Sequence, residues 1–111
     1  MIEEIVINYL SQVLDIPVSG EEPIKKPKEY IVIEKTGSSE LNQIKSATIV
    51  VQSYSDSLIN AAKLNEEVKE EMKSIVILNQ IARCKLNSDY NFTDIATKRY
   101  RYQAVFDIKY Y

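Results

Sequence analysis

Apolar and polar positions along this chain follow two different periods, and the switches between them mark its elements. Over residues 2–15, Ile2, Ile5, Val6, Tyr9, Leu10, Val13 and Leu14 recur at intervals of three and four. That spacing puts them on one stripe of an α-helix. Glu3 and Glu4 sit in its first turn, where they complement the positive end of the helix dipole. Pro17 disfavours helical backbone at the residue before it, so the helix is expected to end near Asp15. Val13 and Leu14 are both read as buried, each worth about 2–5 kcal/mol against alanine.

Period two appears further on. Residues 30–35 (YIVIEK) and 46–54 (SATIVVQSY) are short, β-branched runs, and Gly37, Ser38 and Ser39 between them are turn formers. They predict a β-hairpin with a long tip over 36–45. The clearest strand is 98–111. Tyr100, Tyr102, Ala104, Phe106, Ile108 and Tyr110 share one parity, and Arg99, Arg101, Gln103, Asp107 and Lys109 the other. Alternation that long means one buried face. Between hairpin and final strand, Leu58, Ala61, Ala62, Val68, Met72 and Ile75 make a second helical stripe, bordered by Leu64 and opened by Ser55 or Asp56 as N-cap. This helix is expected to end near Ser74. Residues 75–78 (IVIL) are too few to choose helix or strand. Residues 81–86 read as a strand with Ala82, Cys84 and Leu86 inward and Arg83 and Lys85 outward. Residues 87–97, dense in Asn, Ser, Asp and Thr, read as a polar loop. The resulting expectation is one α+β domain over 1–111, in the order α-β-β-α-β-β. Its antiparallel sheet has about four strands, with two helices on one face. The segment 17–28, with Pro17, Pro23 and Pro27, reads as a crossover linker over the sheet in preference to an arm on a neighbouring subunit.

Composition narrows the function classes. The 111 residues are 45% hydrophobic and 27% charged, the balance of a globular domain and not of a disordered chain. No run approaches a membrane span, and Met1-Ile2-Glu3-Glu4 has no basic region of the secretory kind. With no His, there is no His-based triad or His metal ligand. One Cys, Cys84, allows neither an intrachain disulfide nor a thiolate metal cage. Two Gly cannot make a phosphate-cradling loop. A net charge of −2 gives no global case for nucleic-acid binding.

The pairs Glu66-Glu67 and Glu70-Glu71 read as a solvated helix face, softened by Lys69 and Lys73 at i,i+3, rather than as acid/base chemistry or a hard-cation site. Asp89, Asn91 and Asp94 lack calcium-loop spacing and read as turn formers. Cys84 reads as a small buried hydrophobe despite Arg83 and Lys85 beside it. The string 98–102 (KRYRY) interleaves cations with aromatics, as single-strand binders do. Alternation nevertheless puts the tyrosines on the core side and the arginines outside. Arg99, Arg101 and Lys109 then face the acidic second helix of another copy as a self-association surface. On this reading Arg101→Glu disrupts assembly without unfolding the chain. No catalytic residue, cofactor or metal ligand is assigned. An enzyme is the weakest reading, and a small regulator using Arg99 and Arg101 the chief alternative.

Four segments carry a resemblance: YIVIEKTG at 30–37, ATIVVQSYS at 47–55 leading into an Ala-Ala helix, LNSDYNFTD at 86–94, and TKRYRYQAVFDI at 97–108. Together they resemble small tail terminator, tail completion and head–tail joining proteins of long-tailed bacteriophages. The resemblance implies a virion structural protein with no enzymatic activity and no cofactor. It implies a ring, usually a hexamer, that closes a finished tail tube and stops its growth. Its partners would be other copies of itself, the tail tube protein and the head–tail connector or a neighbouring neck protein. DNA would pass through the lumen without sequence-specific contact, and no membrane is involved. Assembly would take place in the host cytoplasm, for a phage, a prophage or a tail-like bacteriocin. Docking residues are then sought at the hairpin tip, in Glu40, Leu41 and Ile44, and in the polar loop, in Tyr90 and Phe92. For the two aromatics, packing on their own sheet edge is an equal alternative.

Overall fold

A computed structural model describes residues 1–97 and 99–111. Lys98, placed by the sequence in the basic string and at the start of the final strand, lies outside the described residues. The first helix, α1, covers Ile2–Leu14. It stops where Asp15 turns left-handed (φ 53°, ψ 37°), two residues before Pro17. The chain then forms β1 (Val18–Ser19), β2 (Tyr30–Leu41), β3 (Ile44–Ser55), α2 (Leu58–Lys73), a 3-10 turn at Ile75–Ile77, β4 (Ile81–Asn91) and β5 (Tyr100–Tyr110). The sheet order is β1-β2-β3-β5-β4. The α+β class and the antiparallel pairing of the four long strands agree with the sequence reading. The sheet is nevertheless five-stranded and mixed. Val18 and Ser19, expected inside a structureless linker, pair in parallel with Ile31 and Val32.

The core lies between the helices and one sheet face. Ile2, Val6 and Leu10 of α1 and Leu64, Val68 and Met72 of α2 pack against Ile31, Ile33, Ile49, Val51, Ala104, Phe106 and Ile108. Burying each such side chain contributes about 1.5–3 kcal/mol. Val13 is not among them. It is 40% exposed and lines an open groove between the helices, and Leu14 is part-buried against the core. The α2 cap is Ser57, whose hydroxyl accepts from the Asn60 amide, rather than Ser55 or Asp56. Ser55 is still paired in β3 and Asp56 precedes the cap.

One expected loop, 36–45, is strand almost throughout, and the other, 87–97, is strand as far as Asn91. The segment 36–45 is paired almost throughout, from Gly37↔Thr48 to Leu41↔Ile44, and only Asn42 and Gln43 form the turn. Both have positive φ (52° and 68°), as the primed turns that match strand twist require. Likewise β4 runs on through Asn91, pairing Ser88 with Val105 and Tyr90 with Gln103. Register shifts at Ala82 and Asn87 change the parity. Ala82, the extra residue of the first shift, is therefore exposed and not inward, whereas Cys84 and Leu86 keep the expected inward parity opposite Ile108 and Phe106, Leu86 remaining 38% exposed. Residues 34–41 are all exposed, so the β2–β3 hairpin runs past the helical cover. The molecule is accordingly long, 44 × 25 × 24 Å.

Candidate functional site

The sheet face away from the helices has two differently built ends. At one end a second small core forms from Tyr30, Val32 and Tyr54, all nearly buried. The Tyr30 and Tyr54 rings stack at 4.5 Å and 10°, a pair worth about 0.5–1.5 kcal/mol beyond its burial. Arg101 closes this core. Its Nη1 donates to the Tyr54 hydroxyl at 2.8 Å and its Nε to the Phe92 carbonyl at 2.9 Å. Its guanidinium lies 4.5 Å from the Phe92 ring centroid and 5.4 Å from that of Tyr54. From Tyr54 the bonds continue across the sheet. The Tyr54 hydroxyl donates to Gln52, the Gln52 amide to Gln103 at 2.9 Å, and the Gln103 amide to the Tyr90 hydroxyl. Arg99 sits over Tyr30 at 5.9 Å.

Local electrostatics follow from these contacts. The Lys26 ammonium bonded to Glu22 holds its carboxyl below the usual range, helped by the Tyr30 hydroxyl. Burial pushes the Tyr30 phenol up to about 12, reinforced by its bond to the Glu22 carboxylate. The 17–28 segment is thereby fastened to the sheet of its own chain through Glu22.

Arg101 is thus a structural residue, and Arg101→Glu cannot be a clean assembly variant as the sequence reading supposed. Tyr90 and Phe92 meet edge to face at 5.9 Å. They remain 42% and 45% exposed while packing on their own sheet edge. The turn-former reading of Asp89, Asn91 and Asp94 holds for the last two. Asn91 Oδ1 accepts from the Thr93 amide and Asp94 Oδ1 from the Ala96 amide. Asp89 instead lies on the helix side, bonded to Asn65 and Lys69. Those bonds, with Glu66 adding its own, raise the Lys69 pKa. Among the described residues no three His, Cys, Asp or Glu side chains group as metal ligands. Burial pushes the Cys84 thiol up to about 11, although the side chain is half-buried at the core's edge and not fully enclosed as expected.

The other end of this face is an open groove of about 440 Å³. Its floor is small and hydroxylated, with Gly37, Ser39, Ser46 and Thr48, and Arg83, Lys85 and Lys109 line it around Asp107. Asp107 accepts from Thr48 at 3.3 Å and from Asn87 at 3.0 Å. Arg83 stands directly across from Lys109 in the β4–β5 ladder. Of the basic residues singled out from sequence, only Lys109 belongs here. Arg83 and Lys85 had been placed outward but not as candidates, and only the folded register brings them beside Lys109. Glu40, Leu41 and Ile44 lie at the hairpin end, where Leu41 is 76% and Ile44 39% exposed.

On the helix side a second groove, of about 360 Å³, runs between α1 and α2. It is lined by Val13, Leu14, Glu66, Glu67, Glu70 and Glu71. Lys69 pairs with Glu66 at 3.1 Å and Lys73 with Glu70 at 2.9 Å. Compared with known protein families and with curated proteins, the chain matches none. Among the described residues no helix is long and apolar enough to cross a membrane.

Proposed function

We propose that this chain is a virion structural protein that assembles as a ring on the end of a phage or phage-like tail tube. There it stops tube growth and offers a surface to the head connector or neck. The observation that carries the reading is the long β2–β3 hairpin, which runs past the helices with Leu41 and Ile44 exposed beside its turn. An exposed apolar pair at a paired, protruding hairpin end suits docking on a tube end, since the strand pairing already orders its backbone. The resembling segments support the same reading. Residues 30–37 and 47–55 lie in the β2–β3 pair, and 86–94 and 99–108 lie in the adjoining strands and loop. The mechanism is geometric: one side matches the last ring of tube protein, the other differs from it, and stacking stops. The ring is a closed set of identical contacts, six in the arrangement the resemblance implies. Its place is the tail or neck of the particle, built in the bacterial cytoplasm.

The test is tube polymerisation, followed by electron microscopy, with and without the purified chain. The expected result is tubes of limited length carrying a ring at one end. Tubes that lengthen equally in its presence contradict the reading. The variant Leu41→Asp/Ile44→Asp, which leaves the core untouched, is expected to remove the capping.

A further inference from the structure

The two grooves carry opposite charge on opposite sides of the same sheet, and each contains repulsion that the chain relieves only in part. In the sheet groove, Arg83 and Lys109 are cross-strand neighbours, an arrangement that destabilises a ladder. Among the described residues one carboxylate lines the groove, Asp107, which accepts from Thr48 and Asn87 and stands across the ladder from Lys85, so three cations face a single anion. Among the described residues Arg83, Lys85 and Lys109 make no ion pair. On α2, Glu66 and Glu70, and Glu67 and Glu71, are like charges one turn apart. Glu67 and Glu71 have no described ion pair.

We infer that the Arg83–Lys85–Lys109 groove of one copy receives the glutamate face of α2 from a second copy. The contact joins two different surfaces, so a joined pair keeps one free half of each kind. Repeated, it closes into a ring or runs on as a filament. Each side supplies the counter-charge that the other lacks, and both like-charge clusters are neutralised in the contact. The inference rests on the ring reading and names the surfaces that make the ring. It replaces Arg99 and Arg101, which the aromatic core occupies, with Arg83 and Lys85.

The experiment uses two variants of the full chain. One is Lys85→Glu/Lys109→Glu and the other is Glu67→Lys/Glu70→Lys. All four residues are exposed, and far-ultraviolet circular dichroism with urea unfolding checks that each variant folds. Light scattering then follows mass against concentration. Each variant alone is expected to need at least about tenfold more protein than the wild type to assemble. Mixed in equal amounts, the two are expected to regain assembly, since every contact again joins opposite charges. Folded variants that assemble as the wild type does overturn this interface and leave the ring reading standing. Loss of assembly that mixing does not repair also overturns it. A wild-type chain that stays monomeric overturns the ring reading and this interface together.

Discussion

Removing the Arg101 side chain tests whether the sheet face away from the helices is a true second core. Arg101→Ala deletes two charge-assisted hydrogen bonds, to the Tyr54 hydroxyl and the Phe92 carbonyl. It also deletes the cation stacked on the Phe92 ring. Each bond contributes about 1.5 kcal/mol at the low end of its range, and the stacked cation about 0.5–1 kcal/mol. Water reaches the half-buried guanidinium, so the expected loss is about 2–3 kcal/mol. In a domain of this size that lowers Tm by about 10 °C. Urea unfolding at low protein concentration, followed by circular dichroism, measures it apart from any assembly. Arg101→Lys keeps the charge but not the fork, and is expected to lose about 1 kcal/mol. An Arg101→Ala variant within about 0.5 kcal/mol of the wild type would refute the reasoning. Arg101 would then be free for a partner after all.

Three further outcomes are expected. Gln43 holds φ at 68° in the hairpin turn, where glycine carries no side-chain penalty. Gln43→Gly is therefore expected to raise unfolding free energy by about 0.5–1 kcal/mol, and a loss in urea unfolding would contradict the turn geometry. Tyr30 ionises near 10 when unfolded and about 12 when folded. Its contribution is therefore complete below pH 10 and is lost as pH rises toward 12. The stability difference between the wild type and Tyr30→Phe should shrink over that window, and a difference independent of pH would contradict it. The Cys84 thiol, pushed up to about 11 by burial, is expected to react with a thiol reagent at pH 8 only slowly until denaturant is added. Prompt labelling of the native chain would show it accessible.

How much of this was legible in the sequence depends on which physical signal carried each element. The alternation from Tyr100 to Tyr110 is long and regular, and it gave both the strand and its buried parity at Ala104, Phe106 and Ile108. Both helices declared themselves by stripe, and Pro17 and Ser74 marked their ends. Residues 36–41 and 87–91 carry Gly, Ser, Asn and Asp, which lack strand propensity, so composition read them as loops. Pairing with β3 and β5 overrode that preference. The two-residue strand at Val18–Ser19 is set by its neighbour Ile31, not by any local pattern. Register shifts at Ala82 and Asn87 leave no mark in composition either, yet they leave Ala82 exposed and bring Asp89 to the helix side.

The candidate surfaces divided in the same way. Leu41 and Ile44 were found as apolar residues in a polar stretch, and they are exposed at the hairpin end. Arg101 was read as free because strand parity reports only which face a side chain leaves from. What waits on that face depends on Tyr54, 47 residues away, and on how the loop folds Phe92 back. Arg83 and Lys85 become a groove only through their ladder partners Lys109 and Asp107.

The central claim is that copies of this chain close on one another. Light scattering of the wild-type chain over a wide concentration range, at low and then moderate salt, tests it most directly. The account predicts one discrete closed species of about six chains. Its onset should move to higher concentration as salt screens the opposed charges. A monomer at every concentration, or a mass that grows without limit, would contradict it.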